Sequence, residues 1–395
     1  MNAVVVGGGI IGLACAYSLA GRGARVTVCE QSSPGGGSTG RAVGGIRAQF
    51  SRAVNVELSK ASIAVWETFE EEFGVDIAYR RTGYLFLARE EATAERFREN
   101  VRLQHELGVD SEFLTPEEIH EHGSGVRSEA FVGATYHAGD GFADPHLALQ
   151  GFIAGARERG VEIRPNTPVT GVLTANDETG RFRESDNPDD RVVAVETPDG
   201  RIDTEVVVNA AGPWASRIAA MAGVELPVAP RRRQVAVVGP AAPVPESAPL
   251  TIDLDSGAYF RPERGGQALV GGHFADADPD QNPDNYSTDF DLDWAAEAVE
   301  KAGDCARYFG PDSQIRRGWA GLYAVTPDHN PIVEETVSGL INAVGFSGHG
   351  FQHAPAIGRV VAEIALDGEA SLVDVDSLSS DRFETGELLD ERNVA

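Results

Sequence analysis

The run "NAVVVGGGIIGLACAYSLAGRGARVTVCE", residues 2–30, constrains the fold more than any other stretch of the chain. Residues 2–6 read as a short buried strand. Residues 10–21 have helical apolar spacing and close on Gly21 and Gly23, and residues 24–30 read as a second strand. Strand, glycine turn, helix and strand within about 30 residues make a βαβ unit. Gly7, Gly9 and Gly12 fall in G-x-G-x-x-G spacing. The first permits a tight turn, the second a close approach of backbone to a pyrophosphate, the third close packing of helix on strand. The helix start at Ile10 and Ile11 adds free N–H groups and a partial positive charge. Glu30 ends the second strand with Gln31 beside it. A carboxylate there accepts hydrogen bonds from ribose hydroxyls and repels a 2′-phosphate. The pattern predicts a dinucleotide site for FAD or NAD and speaks against NADP.

The remainder of a 395-residue chain must extend that sheet and build at least one further domain. Ser51 to Phe73 reads as a long amphipathic stretch, "GYLFLA" as a strand, and residues 90–108 as a helix. Asp144-Pro145 opens another helix, with Asp as N-cap, that ends on Gly160. "PVTGVLTA" and "VVAVET" read as hairpin arms around a polar acidic insert, "NDETGRFRESDNPDD". From Val228 to Val325 short alternating runs predict an antiparallel sheet, interrupted by a helix over 292–309, and the βα pattern resumes at Gly339. The expected class is α/β: a Rossmann-like nucleotide-binding domain (1–78, 145–224 and 326–388) with an inserted antiparallel-sheet, α+β substrate domain (79–144 and 225–325). Residues 389–395 read as a C-terminal tail.

Net charge is −28, with 61 acidic residues against 33 basic and only two lysines, Lys60 and Lys301. Such a surface repels nucleic acid and anionic membrane, and it resembles that of salt-adapted cytoplasmic proteins. No run approaches the roughly 20 apolar residues of a membrane span. No basic region precedes the first apolar run, so no signal peptide is expected and the location is read as cytoplasmic. Cys15, Cys29 and Cys305 suit neither a disulfide framework nor a metal site and read as buried thiols.

A second glycine-rich segment, "GFSGHGFQHAPAIG" from Gly345 to Gly358, lies between a strand-like and a helix-like run. Taken with "GGGSTGRAVGGIRAQF", "DPHLAL", "NAAGPWA" and "RRGWAGLYAVTPDHNPI", in this order and spacing, it resembles the FAD-dependent amine oxidoreductases of the D-amino-acid oxidase superfamily. Within that group the motifs are most similar to sarcosine oxidase, with glycine oxidase and dye-linked proline dehydrogenase as relatives. The resemblance implies that Gly345, Phe346, Ser347, Gly348, His349, Gly350 and Phe351 lie along the flavin ring. It implies that Ser38, Thr39, Arg41 and Ala42 follow the diphosphate and ribityl chain, and that Val169, Ala211 and Gly212 serve the adenosine half.

For the substrate, the resemblance implies that Arg47 binds a carboxylate, that Tyr323 and His273 flank the amine, and that Gln352 stands where relatives often carry a lysine. Tyr259 is a further candidate for the site. Gly321 occupies the position of a cysteine that tethers FAD in some relatives, so the cofactor is expected to be non-covalent. Leu269 stands where a lysine assists oxygen activation, so the electron acceptor is either O2 or another carrier. The implied activity is oxidation of the C–N bond of a small amino acid or N-alkyl amino acid, with hydride passing to flavin N5 and the imine then hydrolysed. Two alternatives stand beside it: a flavin-bearing electron-transfer subunit of a hetero-oligomer, and a flavoprotein oxidising a hydroxy acid. A homo- or hetero-oligomer is compatible with either.

Overall fold

The structure is a computed structural model and describes residues 1–176, 191–275 and 277–393. The acidic insert, apart from Asn176, lies outside the described residues. A six-stranded sheet runs in the order Ile332–Val337, Leu340–Val344, Val206–Asn209, Asn2–Val6, Arg25–Cys29, Glu162–Arg164. It is parallel except at its first edge. Its central strands are runs of valine buried on both faces, the composition that a helix-covered parallel sheet requires. The helix Ile10–Gly21 is apolar nearly all round because it is packed between the sheet and the helices Pro145–Glu158 and Gly350–Asp367. Gly358 makes the closest of these crossings possible: a β-carbon there would lie 2.5 Å from the Ala14 carbonyl oxygen.

The second sheet has eight strands, ordered Gln314–Val325, Ala229–Gly239, Ala268–Gly272, Ala258–Pro262, Leu250–Asp253, Tyr84–Ala88, Gly133–His137, Glu112–Leu114. It departs from the antiparallel expectation at one seam, where Leu250–Asp253 pairs parallel to Tyr84–Ala88. Two chain segments far apart in sequence meet there, so no hairpin dictates their direction. Alternation sorts the strand Tyr84–Ala88 into two layers. Leu85 and Leu87 join a core with the helix Leu292–Cys305, and Tyr84 and Phe86 join Leu250, Ile252 and Tyr259 on the other face.

Several local expectations shift. The stretch 51–73 is two helices, Ala53–Glu67 and Phe69–Phe73, divided at Thr68, whose hydroxyl donates back to the Ala64 carbonyl at 3.2 Å. The helix expected to reach 309 ends at Cys305. A hairpin strand, Ile332–Val337, precedes the resumed βα pattern. The Asp144 cap forms as expected, accepting from the amides of His146 and Leu147 at 2.8 and 3.2 Å, and the helix it opens ends at Glu158. All three cysteines are buried and free. Among the described residues no helix is long and apolar enough to cross a membrane, and no acidic, histidine or cysteine cluster could hold a metal ion.

Candidate functional site

A cavity of about 470 Å³ opens at the carboxyl ends of the parallel strands and extends to the inner face of the eight-stranded sheet. The carboxyl ends of parallel strands are where ligands bind in open α/β sheets. At one end Gly7 turns with φ +111°, and a side chain there would lie 2.4 Å from the Ala210 carbonyl oxygen. Gly9, Ile10 and Ile11 form the wall. Gly12 does not: it faces back toward Gly7, where a β-carbon would come within 2.0 Å of the carbonyl oxygen. Glu30 is held by the Gly8 and Ser32 amides, each at 2.8 Å. Gln31, Val169, Ala211 and Gly212 complete this end.

Ser38, Thr39, Arg41 and Ala42 line the middle. Ser38 donates to the Leu322 carbonyl at 2.6 Å, and Trp319 donates to the Arg41 carbonyl at 3.0 Å, tying this loop to the long strand Gln314–Val325. Thr39 accepts from the Ile10 amide at 3.1 Å.

Residues Gly345, Phe346, Ser347, Gly348, His349, Gly350, Phe351 and Gln352 form the far wall, so the two glycine segments share one cavity. Ser347 holds φ +49°, a left-handed conformation that costs free energy for any residue but glycine. Three tyrosines face this end, each seated on a glycine. An added β-carbon would strike the Tyr84 hydroxyl from Gly45 at 1.8 Å, the Tyr259 ring from Gly271 at 2.2 Å, and the Tyr323 ring from Gly348 at 2.3 Å. Burial pushes all three phenols upward, so they stay protonated. Burial depresses His349 to about 3, keeping it neutral. Its Nε2 lies 2.9 Å from the His329 carbonyl, which can only accept, so Nε2 carries the proton and Nδ1 is bare.

Arg47 is buried in the same wall. Its backbone amide donates to Gln352 Oε1 at 2.8 Å, and its guanidinium lies 3.7 Å over the Phe50 ring. The guanidinium hydrogen-bonds the backbone carbonyls of Gln49 and Asn393. Among the described residues no carboxylate pairs with it, and burial pulls its pKa below the usual guanidinium range.

The structure thus brings together every expected site residue except two, Gly12 and His273. His273 lies off the wall, with Nε2 3.9 Å from Asp278. Gly272, at φ +145°, ends the strand alternation and turns the histidine outward. Sequence reasoning missed Arg233, Tyr84 and Asn393, all on the wall. Arg233 lies 5.6 Å from the Tyr323 ring and is neutralised by Asp278 through two bonds of 2.8 Å. Its signal was the alternation of "RRRQVAV", which puts Arg233 and Val235 on one face. Asn393, in the tail, carried no such signal.

A dinucleotide carrying a flavin fits this donor set. The helices starting after Gly9 and His349 have no acid in their first turns and no cap from their own N-cap side chains, although Thr39 takes the Ile10 amide of the first. Both N-termini face one cavity, and the amides left free there suit anionic groups. One suits a pyrophosphate; the other suits the electron-rich edge of a reduced flavin.

Comparison with known proteins agrees with this geometry. A family described as "FAD dependent oxidoreductase" matches residues 2–364. The FAD-dependent oxidoreductase domain-containing protein 1 of Xenopus laevis is 33% identical over 436 residues, covering 100% of this chain and 84% of that protein. Mitochondrial dimethylglycine dehydrogenase of Rattus norvegicus is 28% identical, covering 93% of this chain and 43% of that protein. The crystal structure of L-proline dehydrogenase from P. horikoshii superposes with a TM-score of 0.85 at 34% identity, covering 98% of each chain.

Proposed function

Since this chain belongs to the FAD-dependent oxidoreductase family, we propose that it oxidises the C–N bond of a small amino acid or N-alkyl amino acid to an imine that water hydrolyses. FAD, when bound, supplies the two-electron acceptor for the hydride lost from the carbon beside the amine nitrogen. The observation that carries the reading is the Arg47 cation, buried at the end of the cavity where the second glycine segment lies and bonded directly only to backbone carbonyls. The Glu391 and Asp140 carboxylates act on it from a distance without pairing, so the guanidinium fork keeps capacity for an anionic ligand, and it matches a carboxylate. Tyr323, Tyr259 and Tyr84 offer neutral hydroxyls that shape the pocket without adding charge. The neutral His349 leaves the substrate amine free of a competing cation. Gly7, Gly9 and the first helix would hold the pyrophosphate, Glu30 a ribose, and residues 345–352 the ring. Gly321 offers no thiol for a tether, which supports non-covalent FAD. Dimethylglycine dehydrogenase and L-proline dehydrogenase act, by their names, on substrates of the proposed class.

Leu269 is buried among Val235, Val237, Val43 and Trp319 and lies off the cavity wall, so this position supplies no cation to activate oxygen. This supports a dehydrogenase passing electrons to a carrier other than O2.

The test is anaerobic reduction of the flavin by amino acids, N-methyl amino acids and matched amines lacking the carboxylate. With Arg47→Ala, efficiency on the acids should fall by roughly 30-fold or more, since removing one buried charged partner costs about 2–5 kcal/mol. Equal losses on acids and plain amines would overturn the anchoring role.

A further inference from the structure

The segment 389–393 read as a tail, yet it reaches the cavity. Glu391 and Asn393 are 1% and 3% exposed. Glu391 accepts from Ser51 Oγ at 2.7 Å and Asn55 at 3.1 Å, and its amide donates to the Asp328 carbonyl at 2.9 Å. The Leu389 amide donates to the Asp328 carboxylate at 3.2 Å, and the Asn393 amide to Glu391 at 2.9 Å. The Asn393 carbonyl then meets the Arg47 guanidinium, and its side-chain amide meets the Gln49 carbonyl at 3.3 Å.

This strap is polar. Leu389 alone joins an apolar core; Asp390, Glu391, Arg392 and Asn393 are held by hydrogen bonds. With little apolar burial, the segment lacks the term that holds the core closed, and its opening cost is set by these hydrogen bonds, lowest at the Asn393 end and highest at Glu391. Its contact with Arg47 is a neutral carbonyl, and a carboxylate makes a shorter, stronger bond to a guanidinium than a neutral acceptor does.

We infer that residues 389–393 are a displaceable strap occupying the carboxylate subsite, released when an acid binds Arg47, and that they thereby set which acids the site admits. The inference rests on Arg47 being the carboxylate anchor. In the closed state the Asn393 carbonyl stands where a substrate oxygen would stand, so apparent affinity is lowered by the fraction of strap closed. Short acids displace only the end of the strap; bulkier acids require more of it to leave, and the Glu391 contacts resist that.

The FAD-loaded full-length protein tests this with acetate as probe. Acetate saturation should release hydrogen-exchange protection at the Asn393 amide, at the end of the strap, and unchanged protection there would overturn the strap. A chain ending at Leu388 should bind acetate about tenfold more tightly, read from the visible flavin spectrum, as expected if about nine-tenths of the strap is closed. Glu391→Gln, which keeps the chain intact, should shift affinity in the same direction by less. Unchanged or weaker acetate binding in both variants would refute the strap. Arg47→Ala separates the two ideas. Acetate binding that survives it removes the anchor and the strap together. Binding lost with Arg47 but unmoved by the strap variants removes the strap alone.

Discussion

The two glycines at the head of the first helix should fail in different ways when substituted. Gly9 lies on the cavity wall with an ordinary φ of −78°, and a β-carbon there meets one protein atom, Thr39 Oγ1 at 3.2 Å. Gly9→Ala therefore fits the empty protein, and apoprotein stability should change by no more than about 0.5 kcal/mol. The methyl group would project toward the space proposed for the pyrophosphate. Displacing the phosphate from about two backbone donors, each worth roughly 1.5–3 kcal/mol when one partner is charged, should weaken FAD binding by about 100-fold or more. Gly12 faces protein, with a β-carbon 2.0 Å from the Gly7 carbonyl oxygen. Relief requires the helix to move about 1 Å from the turn, and overpacking of that kind costs about 1–3 kcal/mol. Valine recovers only a few tenths of that through helix propensity. Gly12→Val should therefore lower the melting temperature of the apoprotein by roughly 1–3 °C and also lose FAD. The assays are thermal melts of both apoproteins and FAD titration by fluorescence. Wild-type FAD affinity in Gly9→Ala, or an unshifted apoprotein melt in Gly12→Val, would refute this division of roles.

Acid precipitation of the yellow protein should leave flavin in the supernatant, because an added side chain at Gly321 would press on Arg41 at 3.0 Å and no thiol stands there; flavin in the pellet would contradict it. The pH profile of kcat/KM should rise with pH and follow the substrate's own amine, since His349 is neutral above about pH 3 and burial raises the three tyrosines. A midpoint that stays fixed across substrates of different basicity would count against this. Melting temperature should climb from low to molar salt, because a net charge of −28 is self-repelling and salt screens it; a flat or falling midpoint would remove that account of the composition.

The sequence by itself determined the elements that depend on neighbours in the chain. The turn Gly7–Gly12, the helix after it, the Asp144 cap and the buried valine strands follow from local sterics, capping and period, and all were legible. So was the meeting of the two glycine segments at one cavity, although only through resemblance; the structure supplies the reason, by joining Leu340–Val344 and Asn2–Val6 to opposite sides of Val206–Asn209 in one sheet. Tertiary structure alone decided what depends on distant partners. The parallel seam between Leu250–Asp253 and Tyr84–Ala88 has no local signal, because neither strand contains the other's direction. His273 was expected at the site through the resemblance, and it lies off the cavity wall after the positive φ at Gly272. Arg47 was legible as a cation, but its partner is a backbone carbonyl 346 residues away. A carbonyl belongs to every residue type, so no pattern of side chains could have announced the strap.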